Sequence, residues 1–255
     1  MSYERPYYVP TKYKPDIFYY VFGVNASVLH VSASRHHVEK IPQGIESVIV
    51  NRTQNEAYMN SLFDSPIGKV LGERDPELFE RIRQEDSWAI LAGEIEEDTD
   101  LNYIRSCVGL VQAFLDTGAI AVLDLNAFSL YSAEEFTNRF FEKDFNGFEH
   151  ISFLFSETEN GEIWLHTRGM RKFGRPDVSI EHIDPKEVPW AVGVAEQMIY
   201  YSIEGDFFPN KRLKLHISQE ESFGVEPELV DDLENEDFNN AYYKLLWENC
   251  VRFLP

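Results

Sequence analysis

The stretch 87–125 constrains the fold of this chain most. Trp88–Ile95 has the composition of a strand. Leu101, Ile104, Cys107, Val108, Val111, Phe114 and Leu115 then recur with the 3.6-residue period of a helix that buries one face. Asp98, Thr99 or Asp100 supplies a cap before it, and Gly118 supplies a stop after it. Ala119–Leu125 is almost wholly apolar, the pattern of a strand buried on both faces. Strand, helix and strand in that order predict a right-handed parallel crossover. The chain must therefore build a sheet with at least one helix against it.

The remaining pattern is consistent with an α+β protein: a mixed sheet with helices mainly on one face, a strand-helix-strand crossover and a β-hairpin. Residues 1–16 carry Pro6, Pro10 and Pro15 and read as an extended arm. Residues 17–255 read as a single domain, with the weakest joint near 143–149. Ile17–Val24 and Ser27–Ala33 resemble a hairpin about Asn25-Ala26, and Ile45–Asn51 a third strand. Residues 55–86 read as two short helices, the second marked by Asp75 as N-cap and Pro76 in its first turn. Ser132 and Glu135 form a capping box. Asn160-Gly161 joins Ile151–Ser156 to Glu162–Arg168. A two-residue turn there would place Phe153 and Phe155 on the face of Trp164, His166 and Arg168. Pro176–Ile180 leads a strand, Pro189 opens a helix, Lys211–Ile217 alternates as a strand, and the chain from Glu226 reads as helical.

Composition narrows the function. The 255 residues hold 23 Lys and Arg against 44 Asp and Glu, a formal net charge of −21. Such a surface disfavours nucleic acid and anionic membranes, which both demand cations. The 14% aromatic content marks a folded rather than disordered chain. No apolar run has the length of a membrane span, and Met1–Pro6 lacks the apolar core of a signal peptide. Only Cys107 and Cys250 are present, so a reducing cytoplasm is expected.

No short catalytic or nucleotide-binding signature occurs, and no cofactor is expected. Asp98–Asn102 opens like a calcium loop, but Tyr103 and Gly109 stand where glycine and glutamate are needed. The acids there read as helix-capping groups. Nearby Glu94, Glu96 and Glu97 read as a solvated loop. His30, His36 and His37 read as surface polarity, because adjacent strand residues point apart. Both cysteines read as small apolar residues.

Two segments remain as candidate sites. Ile163–Asp177 concentrates Arg168, Arg171, Lys172 and Arg175 in an otherwise acidic chain, and Gly169 and Gly174 imply special turn dihedrals. His166, Arg168, Arg171, Arg175 and Asp177 are the candidate anion or small-molecule ligands. The alternative is a structural turn whose arginines pair with carboxylates. Residues 219–240 contain nine acids and no base; Glu228, Asp231, Asp232 and Glu234 are candidates for contact with a basic partner.

The run Trp164-Leu165-His166-Thr167-Arg168-Gly169-Met170, followed by Phe173-Gly174-Arg175-Pro176-Asp177-Val178, resembles a bacterial domain-of-unknown-function family. Through Thr167, Gly169 and Met170 it is more distantly similar to suppressor-of-fused-like domains. The resemblance covers 162–180 and implies an α+β fold without an assigned activity. Some suppressor-of-fused-like bacterial proteins act in immunity against secreted toxins, which implies binding of a toxin; the net charge and the acidic run would suit a basic one. Three readings therefore stand: a cytoplasmic protein-interaction domain, a small-molecule or anion-binding domain or enzyme using 166–177, and a subunit of an assembly. The sequence does not fix the oligomeric state.

Overall fold

The computed structural model describes residues 1–253 apart from Glu97, Glu234 and Glu236. Its backbone divides into two compact units, one of Met1 and Asp16–Phe145, the other of Ser2–Pro15 and Asn146–Pro255. The sequence had taken 17–255 as one domain; the division falls at its weak joint, 143–149. Residues 2–15, within the stretch 1–16 read as an extended arm, belong to the second unit.

The first unit contains β1 (Asp16–Phe22), α1 (Ala33–His36), β2 (Glu46–Asn51), α2 (Arg52–Asp64), α3 (Pro66–Arg74), α4 (Pro76–Arg83), β3 (Ser87–Glu94), α5 (Asn102–Leu115), β4 (Ala121–Asp124), β5 (Ser129–Ser132) and α6 (Ala133–Phe136). The strands form one sheet in the order β2-β3-β1-β4-β5, antiparallel throughout. Strands β3 and β4 both run antiparallel to β1, so they are parallel to each other. The crossover read from 87–125 therefore exists and spans one intervening strand. One sheet face, with Tyr20, Phe22, Trp88 and Leu123, packs on Met59, Phe63, Leu71, Leu78 and Ile82 of α2, α3 and α4. Trp88 sits at its centre, edge-on to Phe22 and Phe63 at 4.9 and 5.3 Å. Helix α5 packs on β1 and β3, and Phe136 of α6 meets Tyr19 on the opposite face. The expected α+β class holds, with helices on both faces of this sheet rather than mainly on one.

Several local readings change for identifiable reasons. β1 is paired on both edges, so no second strand of an N-terminal hairpin can join it. Asn25 instead accepts from the Ser27 N–H and caps a single 3₁₀ turn, Ala26–Val28. His36 lies on α1, not on a strand, and is buried rather than on the surface. The 55–86 stretch breaks twice, at Ser65-Pro66 and at Asp75-Pro76; each pair places a capping side chain before a proline. α5 starts without a side-chain cap, while Asp100 turns the chain ahead of it by accepting from the Asn102 N–H. The Ser132–Glu135 capping box is present.

The second unit contains β6 (Ser152–Glu157), β7 (Ile163–Arg168), β8 (Asp177–Ile183), α7 (Val188–Ile203), β9 (Leu213–His216), β10 (Ser222–Val225), β11 (Glu228–Val230), β12 (Tyr242–Leu246) and β13 (Val251–Phe253). Five strands form a mixed sheet, β11-β12-β8-β7-β6, in which β12 and β8 are parallel; β13-β10-β9 form a small second sheet. Leu165, Val178, Ile180, Tyr243 and Leu245 are buried on the face toward α7. Among the described residues beyond Glu226, strands β11, β12 and β13 and a 3₁₀ turn at Trp247–Asn249 stand in place of the helix read there. Alternation at Tyr243 and Leu245, completed by pairing with β8, outweighs the helical tendency of the acidic residues.

The β6–β7 register corrects another reading. The Thr158 N–H donates to Glu162 O, and Gly161 has φ +79°, so Glu159-Asn160-Gly161 form a three-residue loop. One extra residue shifts the pairing to Leu154↔His166 and Phe153↔Thr167. A one-residue slip exchanges the faces. Phe153 and Phe155 thus share a face with Leu165 and Thr167, while Trp164, His166 and Arg168 share the other with Leu154.

Ile104, Cys107, Val108, Val111 and Leu115 of α5 are all buried. A charge at Val108 has no partner there and no route to water. Val108→Asp is expected to abolish cooperative thermal unfolding or leave the protein insoluble; an unchanged melting temperature would show that this face carries no packing.

Candidate functional site

The 163–177 segment leaves β7, makes one 3₁₀ turn at Met170–Phe173, and enters β8. Two glycines make this path feasible. Gly169 has φ +117°, and a Cβ there would lie 2.4 Å from His150 O. Gly174 has φ +60°, and its Cβ would lie 2.9 Å from Tyr13 O and from the Pro15 ring. Positive φ together with backbone contact excludes any side chain at either position without local rearrangement.

The basic residues of this segment are mostly directed inward. Arg175 is 0% exposed. Its Nε donates to Asp206 O at 3.0 Å, Nη1 to Gly174 O at 2.8 Å, and Nη2 to Val9 O and Gly205 O at 2.8 and 2.6 Å. Arg5, also buried, repeats the device: it donates to Ile203 O, Phe173 O and Ser202 O. The Tyr8 ring lies near both guanidinium groups, at 5.4 Å from Arg5 and 5.6 Å from Arg175. The two arginines thus bind residues 2–15 to the end of α7 and to the 170–174 turn. Lys172 is 0% exposed as well.

Asp177 is fully buried beneath this turn. Its Oδ1 accepts from the Thr167 hydroxyl at 2.9 Å and from the Met170 N–H at 3.3 Å; its Oδ2 accepts from Asn240 at 2.7 Å. Burial raises its carboxyl to about 7, against the lowering influence of those bonds and of Arg168. Burial lowers the Arg168 guanidinium to about 10, with Asp177 and Asp237 acting to raise it.

The structure therefore separates the five sequence candidates. Arg175 and Asp177 are internal fastenings, joined through Asn240, which also donates to Arg175 O. Arg171 is directed outward and holds Asn239 through its carbonyl and side-chain oxygens at 2.9 and 3.1 Å. Arg168 and His166 lie on the outer face of the sheet, under Phe238. His166 stacks on Trp164 at 4.2 Å and meets Phe238 at 5.5 Å. Burial lowers it to about 4, with Asp237 opposing and Arg168 reinforcing that shift. Sequence reasoning missed Arg5, Asn240 and Phe238, which lie far from the segment in sequence and carry no local signal.

In the acidic run, Glu228 on β11, Asp231 and Asp232 are exposed; Glu234 lies outside the described residues. Asp231 is held by Lys12 and accepts from the Tyr13 hydroxyl at 3.0 Å. Glu228 faces Lys244 in the strand register, but the described ion pair of Lys244 is with Glu181, at 3.0 Å.

Each unit also has a cavity, and the second of them includes Glu228. One of about 420 Å³ in the first unit is lined by His37, Lys40, Asp100, Asn102 and Arg105 among others. One of about 480 Å³ in the second includes Arg212, Glu226, Glu228, Lys244 and Cys250. Burial raises the Cys250 thiol to about 12, so it is protonated at neutral pH. His36 accepts from the Ser32 N–H at Nδ1 and so donates from Nε2 to Asp116, which occupies both ring nitrogens. Among the described residues no group of three or more His, Cys, Asp or Glu could hold a metal, and no helix is long and apolar enough to cross a membrane. Compared with known proteins, the chain matches no family model, no curated protein and no solved structure.

The His166 shift gives a signed expectation. A histidine held near 4 when folded and at its ordinary 6.5 when unfolded favours the folded state fully above 6.5, and that advantage is lost as pH falls from 6.5 through 4. Asp177, raised from 3.8 to about 7, acts in the opposite sense over the same range. His166→Phe removes the first contribution and keeps the second. Its melting temperature relative to the parent protein should therefore rise between pH 7 and pH 4.5; a constant difference would show that His166 titrates normally.

Proposed function

We propose that this is a cytoplasmic protein-interaction domain that presents an acidic surface to a basic protein partner. The observation that carries the proposal is the exposure of Glu228, Asp231, Asp232 and Asp237 on β11 and the connection that follows it. Arg5, Arg168, Lys172 and Arg175 are meanwhile buried, so their charge is withdrawn from the same unit's surface. Closely spaced acids steer a cationic partner and accelerate its encounter. An immunity-like role is what the similarity of Thr167, Gly169 and Met170 to suppressor-of-fused-like domains would imply, and the net charge of −21 would suit a basic toxin or nuclease as its partner. Burial of Arg168, Lys172 and Arg175, the last on backbone carbonyls, favours this reading over an anion site at that turn.

The test separates a local surface from bulk charge. Glu228→Lys with Asp232→Lys should weaken binding of an arginine-rich peptide, by about tenfold or more at low ionic strength and less as salt rises. Glu56→Lys with Glu73→Lys, an equal reversal on exposed sites of the first unit, should leave affinity nearly unchanged. Equal losses from both pairs would reduce the effect to net charge and refute the proposal.

A further inference from the structure

The outer face of the mixed sheet carries an aromatic seat. Trp164 and His166 of β7 stack at 4.2 Å with 24° between their planes. Tyr242 opens β12 on the same face, and Phe238 stacks on it at 3.9 Å and 11°. Phe238 also meets His166 and Trp164 at 5.5 and 6.2 Å, and is only 4% exposed. It is borne by the connection between β11 and β12, adjacent antiparallel strands usually joined by two to five residues. Here the connection runs from 231 to 241, and its neighbouring side chains Asp237 and Asn239 are exposed. Phe238 is thus the aromatic anchor of a polar connection whose Asn239 and Asn240 are held by Arg171, Arg175 O and Asp177.

The fit of Phe238 is chemically incomplete. His166 is 7% exposed, and its Nδ1 is buried without a hydrogen-bond partner among the described residues. Phe238 packs edge-on against the imidazole ring at 5.5 Å, and a phenyl ring has no group that could hydrogen-bond to it. Buried polar atoms are rarely left unmet, because they lose water without compensation. Trp164 has no such deficit, since its Nε1 donates to Ser179 Oγ at 2.9 Å. The seat is therefore complementary to an aromatic ring that also carries a hydroxyl.

We propose that Trp164, His166 and Tyr242 form a recognition seat for a tyrosine side chain of a partner protein, and that Phe238 occupies this seat in competition with it. A tyrosine ring reproduces the stacking of Phe238, and its hydroxyl supplies a hydrogen bond to His166 Nδ1. Because Phe238 fills the seat, the apparent affinity is the intrinsic affinity multiplied by the small fraction of molecules in which the seat is open. The inference does not rest on the acidic-surface reading and stands or falls separately from it.

The test uses N-acetyl-tyrosinamide and N-acetyl-phenylalaninamide as probes, followed by the Trp164 indole resonance. Phe238→Ala should bind the tyrosine probe about tenfold or more tighter than the parent protein does. It should prefer that probe to the phenylalanine probe, and adding His166→Phe should remove the preference. Equal binding of the two probes to Phe238→Ala would mean a plain cavity, and no binding would mean no seat; either overturns the proposal. Should Phe238→Ala fail to fold, the parent protein decides. At high probe concentration the tyrosine probe alone should shift the Trp164 resonance, and an identical response to both probes, or none, refutes the inference.

Discussion

The Arg175 guanidinium has been removed from water and given to four backbone carbonyls: Val9, Gly174, Gly205 and Asp206. A charged donor buried this deeply is costly unless its hydrogen bonds are met. Those carbonyls come from three separate stretches of the second unit. Meeting the charge therefore fixes residues 2–15, the turn after α7 and the 170–174 loop together. Arg5 repeats the device one layer away, and Tyr8 lies close to both cations. The glycines follow from the same constraint. Only a chain without Cβ atoms at 169 and 174 can pass near His150 and Tyr13 while delivering Arg175 to its acceptors.

This inward use of cations bears on the surface. A turn whose arginines faced solvent would offer an anion site. Here Asp177, Arg175 and Asn240 bind one another and the backbone, which leaves Arg171 as the outward member of the group. Acids of the same unit remain outside, on β11 and the connection to β12. Burial of the bases and display of the acids are thus two aspects of one arrangement.

Much of the first unit was legible because its signals are local. The α5 periodicity, the apolar β4, the Asp75-Pro76 start and the Ser132–Glu135 box each lie within a few residues and each is present. Failures occurred where a distant partner decides. Residues 27–33 could not pair with β1, because β3 and β4 already occupy both its edges. The β6–β7 faces exchanged because Glu159 joins Asn160 and Gly161 in a loop read as two residues. At the candidate site, the sequence marked Gly169, Gly174 and the unusual basic cluster. It could not show that the cluster faces inward, since the acceptors are carbonyls of residues 9, 205 and 206, and backbone oxygens leave no compositional trace.

The central claim is that Arg175 is an internal fastening to backbone carbonyls rather than a solvent-facing ligand. The most direct measurement is the unfolding free energy of Arg175→Met at low and at high salt. Loss of several charge-assisted bonds, with buried carbonyls left unmet, should cost about 3 kcal/mol or more. Because the guanidinium is buried beyond the reach of solvent ions and these four carbonyls are uncharged, that loss should be nearly the same at both ionic strengths. A loss under about 1 kcal/mol, or one that vanishes at high salt, would contradict the account and return Arg175 to the role of a solvent-facing anion ligand.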